Sequence, residues 1–187
     1  MLAICVFGDS ITWGAYDLEF GGWVNRFKLY YDQQGNYETD IYNLGICGDK
    51  VKDVLKRFQA EAQARKPNKI ILEIGINDSP HLTYLFGTKL IDFEGRFREL
   101  LEKAKKFTND VVIVGLTNVD ESNKLHGYKN EKIEKYDRKL KEIAKDKNIR
   151  FVDLFNILTV DDFEDGLHPN ARGHQKIFEK VKEAING

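Results

Sequence analysis

Ser10, Asp165 and His168 are the residues of this chain whose types and spacing fit nucleophilic chemistry. Ser10 closes the turn Gly8-Asp9-Ser10, which ends an apolar run near the start, and Asp165 precedes His168 by three residues. A serine hydroxyl becomes a competent nucleophile when an imidazole takes its proton, and a carboxylate then holds that imidazole in the required tautomer. The three residues together therefore predict attack on an acyl group. Taken alone, the turn also fits simple side-chain capping of the backbone.

Attack on an acyl carbon also requires hydrogen-bond donors for the oxyanion that develops. The candidate donors are the backbone amide of Gly48, the side-chain amide of Asn77 and the backbone amide of Ser10. A glycine suits such a position because it has no Cβ to block the approach of a substrate. The sequence therefore supplies candidates for every part of an acyl-transfer site.

Short apolar runs and amphipathic stretches alternate along the chain and would position these residues. The runs predicted as strands are 2–7, 40–44, 69–74, 111–116 and 150–154, and the main predicted helices are 23–31, 51–65, 93–107, 130–146 and one from about 169 onward. Because parallel strands need crossover connections, this alternation predicts an α/β fold with three α/β/α layers, flavodoxin-like, with a five-stranded parallel sheet and helices on both faces. Ligands bind at the carboxyl edge of such sheets. The residues expected at that edge are Ser10, Gly48, Asn77, Asp165 and His168.

Two segments between these elements are less regular. Residues 82–92 have a mixed pattern and receive no assignment, whereas residues 117–128 are polar, follow the fourth predicted strand and form a candidate wall of the site. Trp13, Tyr16 and Trp23 either line an acyl pocket or belong to the core, where aromatic side chains near a first helix are commonly found.

The remaining cysteine and histidine residues are expected to take no part in the reaction. Cys47 is interpreted as a small buried thiol, which is usually inert. His81, His126 and His174 lack the spacing of metal ligands and are interpreted as surface or capping residues, with His174 either facing solvent or packing in the last helix. No metal and no cofactor are therefore expected.

Length and charge limit the classes of protein to which the chain can belong. The 187 residues predict a single domain spanning 1–187, and a net charge of −1 gives no electrostatic reason to expect nucleic acid or an anionic membrane as a partner. No signal peptide and no apolar run long enough to span a bilayer are recognised, so no membrane anchor is expected. With two cysteines, Cys5 and Cys47, a disulfide framework is not expected and a cytoplasmic location is favoured.

The chain resembles the SGNH hydrolases, also called the GDSL esterase and lipase family, over nearly its whole length. Four blocks carry the resemblance: Gly8-Asp9-Ser10, residues 43–49, Gly75-Ile76-Asn77-Asp78 and Asp165-Gly166-Leu167-His168-Pro169-Asn170. The resemblance implies that Ser10 is the nucleophile, that His168 is the base with Asp165 as its partner, and that Gly48 and Asn77 belong to the oxyanion hole. Three departures from the family's pattern, none at a catalytic position, are Ile11, Cys47 and Lys50.

The family includes esterases, thioesterases, lysophospholipases and carbohydrate deacetylases, so the resemblance implies a reaction and leaves the substrate open. The expected activity is cleavage of a small-molecule carboxylic ester through an acyl-Ser10 intermediate. One alternative keeps the triad but transfers the acyl group to an alcohol or sugar. The other is a non-catalytic flavodoxin-like module that binds a small phosphate-bearing ligand, although the sequence contains no glycine-rich phosphate loop.

Overall fold

The computed structural model of the protein describes residues 2–186, so residues 1 and 187 of the predicted domain lie outside the described part. Five strands form one sheet in the order β2-β1-β3-β4-β5, with every neighbouring pair parallel. The strands are β1 (Leu2–Gly8), β2 (Thr39–Gly45), β3 (Lys69–Glu73), β4 (Val111–Val114) and β5 (Arg150–Val152). The predicted five-stranded parallel sheet and its flavodoxin-like order are confirmed.

Within residues 2–186, six α-helices connect and follow these strands. They are α1 (Ser10–Trp13), α2 (Trp23–Gln33), α3 (Val51–Arg65), α4 (Leu90–Lys105), α5 (Asn130–Asp146) and α6 (Ala171–Asn186). Helix α2 packs against α6, while α3 packs against α4 and α4 against α5. Right-handed crossovers in opposite directions from β1 place these two groups on opposite faces of the sheet. Among the described residues, no helix combines the length and the apolar character needed to cross a membrane.

The central strands are apolar along most of their length because both of their faces are covered. Phe7 of β1, Leu72 of β3 and Ile113 of β4 have no exposed surface. A strand buried on both sides is expected to read as a continuous apolar run rather than as an alternating one. This burial explains why the sequence identified these strands correctly.

Several element boundaries differ from the sequence prediction by one to three residues, among them the end of β5 at Val152 rather than 154, and two of the differences have a visible reason. Strand β4 ends at Val114 rather than at 116, because the Leu116 amide donates to the buried Asp137 carboxylate at 2.9 Å instead of to a neighbouring strand. Helix α4 begins at Leu90 rather than at 93. Its first two residues, Leu90 and Ile91, are exposed, so their apolar character does not follow the helical periodicity of the buried face.

The order of the strands creates a switch point at β1. From β1 the chain moves to β2 on one side and later returns to β3 on the other. Connections leaving β1 and β3 therefore diverge at their carboxyl ends, which opens a crevice where ligands bind in sheets of this type. Ser10 follows β1 and Asn77 follows β3, so both residues lie at this crevice.

Candidate active site

Ser10 begins helix α1 in a sharp turn that directly follows β1. The Asp9 carboxylate accepts a hydrogen bond from the Ile11 amide at 3.0 Å and so caps the helix. A Cβ on Gly8 would lie 2.4 Å from the carbonyl oxygen of Glu73, so only glycine allows the turn to approach β3 this closely. Ser10 is thus held against the sheet by the turn itself.

A buried polar contact lies under this turn. The Thr12 hydroxyl donates a hydrogen bond to the Glu73 carboxylate. Glu73 and the neighbouring Asp9 are both buried, with at most 1% of their surface exposed. Burial raises the pKa of Asp9, and burial together with the nearby Asp9 raises the pKa of Glu73. Asp9 thus stays buried beneath the turn while it caps helix α1 through the Ile11 amide.

Ser10, His168 and Asp165 form a continuous chain of hydrogen bonds. The Ser10 Oγ lies 3.0 Å from His168 Nε2, and His168 Nδ1 lies 2.8 Å from Asp165 Oδ2. A carboxylate only accepts hydrogen bonds, so Nδ1 carries the proton and Nε2 is free to accept the serine proton. The geometry can therefore move a proton from Ser10 to His168.

Asp165 is held as a carboxylate by several donors. Its Oδ1 accepts from the amides of Leu167 at 3.0 Å and His168 at 2.8 Å. Although burial opposes ionisation, the His168 amide and the imidazoles of His168 and His126 lower the pKa of Asp165 to about 2. Asp165 is therefore charged throughout the neutral pH range, and it can stabilise a positive charge on the imidazole of His168.

The three predicted oxyanion donors lie at the same pocket. Within residues 2–186, the amides of Gly48 and Ser10 donate to no protein acceptor. Gly48 has a φ of +81°, and among the described residues no atom other than those of its chain neighbours lies within 4 Å of where its Cβ would stand, so a substrate can approach the backbone there. The Asn77 Nδ2 donates to the carbonyl oxygen of Asp49 at 3.1 Å, which leaves its second proton available.

Tyr128 fixes the orientation of the Asn77 amide. Its hydroxyl donates to Asn77 Oδ1 at 2.9 Å, so the nitrogen of the amide turns away from Tyr128. Burial, with the nearby Asp9 and Asp78 carboxylates, raises the pKa of Tyr128, so the hydroxyl keeps its proton. The His81 ring stacks on the Tyr128 ring at 4.5 Å between centroids, which limits movement of the phenol.

The pocket has a volume of about 680 Å³ and is open to solvent. Ser10, Gly48, Asn77 and His168 line it, while Asp165 lies behind His168 and does not. The walls include the aromatic and aliphatic side chains of Trp13, Tyr16, Leu82, Tyr84 and Leu125. Trp13 and Tyr16 thus lie where a pocket wall was expected, whereas Trp23 is fully buried in the core.

His126 is a site residue that the sequence analysis missed. Its Nε2 lies 2.8 Å from Asp165 Oδ2, the same oxygen that accepts from His168. The side-chain atoms of His126, Asp165 and His168 lie within 4.8 Å of one another, a set that could also hold a metal ion. Residues 117–128 were expected to form a wall, and that expectation is the only sequence signal that pointed to His126.

His174 packs in the last helix, one of the two placements expected for it, whereas His81 is half-buried and contacts a neighbouring carbonyl group. His81 lines the pocket and its Nδ1 lies 2.8 Å from the carbonyl oxygen of Ser79. His174 is fully buried, accepts from the Trp23 amide at 3.3 Å and donates to the Ala15 carbonyl at 3.2 Å. Its burial lowers the pKa of His174 to about 4, so this imidazole is a neutral link between α6 and the start of α2.

Cys47 is exposed at the pocket, so the expectation that its thiol is buried is wrong. Partial loss of solvent and the nearby Asp9 raise the pKa of its thiol, which disfavours the reactive thiolate.

Asp78 is buried and accepts hydrogen bonds from the Val51 amide at 3.0 Å and the Thr88 hydroxyl at 2.6 Å. It therefore ties the start of α3 to the loop that follows β3.

Comparison with known proteins gives one family match and several relatives. The sequence profile of the GDSL-like Lipase/Acylhydrolase family matches residues 6–176. A multidomain esterase of Ruminococcus flavefaciens is 26% identical over 227 residues, which cover 100% of this chain and 28% of the relative. An acetylxylan esterase of Geobacillus stearothermophilus is 27% identical over 147 residues, which cover 72% of this chain and 66% of the relative. The chain therefore spans less than two thirds of the length of either protein.

A solved structure extends the comparison to the fold. The crystal structure of the lipase/acylhydrolase from Enterococcus faecalis superposes with a TM-score of 0.85 at 23% identity, covering 100% of this chain and 96% of the other. An identity this low supports a common fold and nothing finer. The profile match, by contrast, includes the turn at Ser10, the segment at Gly48 and the loop at His168. On that match the chain belongs to the GDSL-like lipase/acylhydrolase family.

Proposed function

We propose that the protein is a serine hydrolase that cleaves carboxylic esters through an acyl-Ser10 intermediate. The observation that carries the proposal is the unbroken hydrogen-bond chain from Ser10 Oγ to His168 and on to Asp165, with distances of 3.0 and 2.8 Å. Family membership and the names of the esterase relatives support the same reaction class.

The proposed reaction begins with acylation. Ser10 Oγ attacks the ester carbonyl carbon while His168 Nε2 takes the hydroxyl proton, and Asp165 stabilises the imidazolium that results. The negative charge on the carbonyl oxygen is stabilised by the Gly48 and Ser10 amides and by Asn77 Nδ2. Collapse of this intermediate breaks the ester bond, and His168 returns its proton to the alcohol that leaves.

Deacylation repeats these steps with water as the nucleophile. His168 takes a proton from water, the hydroxide adds to the acyl carbon, and the carboxylic acid leaves as Ser10 regains its proton from His168. All proton transfers use the chain's own side chains, and residues 1–187 are proposed to act as one domain. An alcohol or sugar in place of water would give acyl transfer, which analysis of the products in the presence of an acceptor would detect.

His126 is proposed to be a positioning residue in this mechanism. Because the Asp165 carboxylate only accepts, His126 must donate its Nε2 proton to Asp165 Oδ2. This bond limits rotation of the carboxylate about its side-chain torsions. The imidazole of His168 thereby keeps a fixed direction toward Ser10.

The test combines covalent labelling with kinetics. A fluorophosphonate should label the wild type once, at Ser10 as located by mass spectrometry, and the protein should hydrolyse 4-nitrophenyl acetate. Ser10→Ala should abolish labelling and lower kcat by roughly four orders of magnitude, because the nucleophile is removed. The matched control is Ser122→Ala, which changes an exposed serine outside the pocket and should keep wild-type activity. Full hydrolysis by Ser10→Ala, or labelling at another serine, would disprove the mechanism.

A further inference from the structure

The described side chains that line the pocket include a positive charge and no negative charge. Among the described lining residues, Lys50 carries the only permanently charged side chain, and none of them is a carboxylate. The Lys50 ammonium lies 3.1 Å from the centre of the Tyr84 ring, which faces the same pocket. A positive group is therefore presented to whatever occupies the pocket, two residues from the Gly48 amide.

Asp49 and Asp53, close to Lys50 in the sequence, and Asp78, whose charge acts on it, are already engaged by other donors. Asp49 pairs with Arg57 at 2.8 Å and Asp53 pairs with Lys56 at 2.8 Å. Asp78 attracts the ammonium at a distance, but its two oxygens accept bonds from Val51 and Thr88. Across residues 2–186, Lys50 Nζ makes no ion pair and no hydrogen bond.

The ammonium of Lys50 is thus partly buried without an anionic partner. Its partial burial lowers the pKa of Lys50, since removal of water disfavours the charged form. Contact with an aromatic face replaces only part of the lost hydration. An anionic group entering the pocket would supply the missing partner, and it would do so where solvent screening is weaker than at the surface.

We propose that Lys50 binds an anionic group, a carboxylate or a phosphate, carried by the ester substrate. The proposal rests on the hydrolase activity proposed above and narrows its substrate class to anionic esters. Such a substrate has two parts. Its ester carbonyl lies at Ser10, and a negatively charged group elsewhere in the same molecule reaches Lys50 beside the Tyr84 ring.

Three acetyl esters test the proposal with the reacting atoms kept constant. They are 4-acetoxyphenylacetate, 4-acetoxybenzylphosphonate and the neutral 4-acetoxyphenylacetamide, in which a methylene group insulates the leaving phenol from the charge. The measured quantity is the ratio of kcat/KM for each anionic ester to that for the neutral ester. The wild type should favour at least one anionic ester by about tenfold at low ionic strength, and the preference should fall as salt is added. The more favoured anion distinguishes a carboxylate from a phosphate group.

Lys50→Gln should bring the ratio close to one, and Lys50→Glu should bring it below one. The matched control is Lys52→Gln, which removes an equal charge from an exposed lysine that does not line the pocket and should keep the wild-type ratio. Fluorophosphonate labelling of each variant shows that the site is still assembled. A wild-type ratio near one, or an unchanged ratio in Lys50→Gln, would overturn the assignment while the neutral ester is still hydrolysed. If the wild type neither hydrolyses any of the esters nor reacts with the fluorophosphonate, the proposed function and this proposal are both overturned.

Discussion

The residues of the candidate site come from two kinds of structure. Ser10 and Asn77 follow β1 and β3 within a few residues and are held by tight turns against the sheet. His126 and Tyr128 come from the segment between β4 and α5, which has no regular secondary structure. In the proposed mechanism, the nucleophile Ser10 and the oxyanion donor Asn77 come from strand ends, whereas the loop supplies the groups that orient Asp165 and Asn77.

The loop is nevertheless anchored at both ends and in its middle. The Asp120 amide donates to the Gly166 carbonyl at 2.8 Å, next to Asp165, and the Leu82 amide donates to the His126 carbonyl at 3.0 Å. The Glu121 carboxylate accepts from the Asn130 amide at 2.8 Å, where α5 begins. These bonds allow an irregular segment to hold side chains in fixed directions. If the comparison is correct, substitutions at strand ends should affect activity more than substitutions in the loop.

Asn77→Ala is expected to have the largest effect of the three substitutions that test this comparison. Loss of the amide donor from the oxyanion hole should lower kcat by roughly 10²- to 10³-fold with little change in KM. Steady-state kinetics with 4-nitrophenyl acetate measures this effect. Asn118→Ala is a matched control, because Asn118 bonds the Leu158 carbonyl and does not line the pocket. A loss of less than about threefold in Asn77→Ala would remove Asn77 from the oxyanion hole.

His126→Ala is expected to have an intermediate effect. Without the bond to Asp165 Oδ2, the carboxylate gains freedom and His168 is aligned less often, so kcat should fall about tenfold while KM stays within about twofold. His126→Gln keeps a donating amide and should recover most of the lost activity. The recovery separates a positioning role from simple packing, for which glutamine has no advantage. Equal losses in the alanine and glutamine variants would contradict the role proposed for His126.

Tyr128→Phe is expected to have the smallest effect. The ring and its stacking on His81 are retained, and only the hydroxyl that fixes Asn77 Oδ1 is lost. The bond from Asn77 Nδ2 to the Asp49 carbonyl remains, so the amide loses only part of its orientation, and kcat should fall by about threefold to tenfold because the flipped amide presents an oxygen to the oxyanion. The double variant with Asn77→Ala should show no further loss, since the hydroxyl acts through Asn77. Additive losses in the double variant would show that Tyr128 acts independently.

The sequence predicted the fold because its signals are local. Helix α5 was predicted with the bounds found in the structure, Asn130–Asp146, since one face of the helix is consistently apolar. Strands β1 and β3 were recognisable because burial on both faces leaves them continuously apolar. Ser10 and Asn77 were found by their position after these strands.

The orienting residues were missed because their partners are distant in the sequence. His126 bonds Asp165, 39 residues away, and Tyr128 bonds Asn77, 51 residues away, with no periodicity to mark either pair. The two placements expected for His174 could not be separated for the same reason, since its contacts with Ala15 and Trp23 span most of the chain. A single histidine in a polar or amphipathic stretch carries no local sign of such a partner.

Ser10 and His168 are separated by 158 positions along the chain, yet their side chains are in direct contact. Loop closure over such a separation is slow compared with the formation of a helix or a hairpin. In a refolding experiment, helical circular dichroism should therefore recover before ester hydrolysis does. Recovery of ester hydrolysis would report that the end of β1 and the loop that carries His168 have come together.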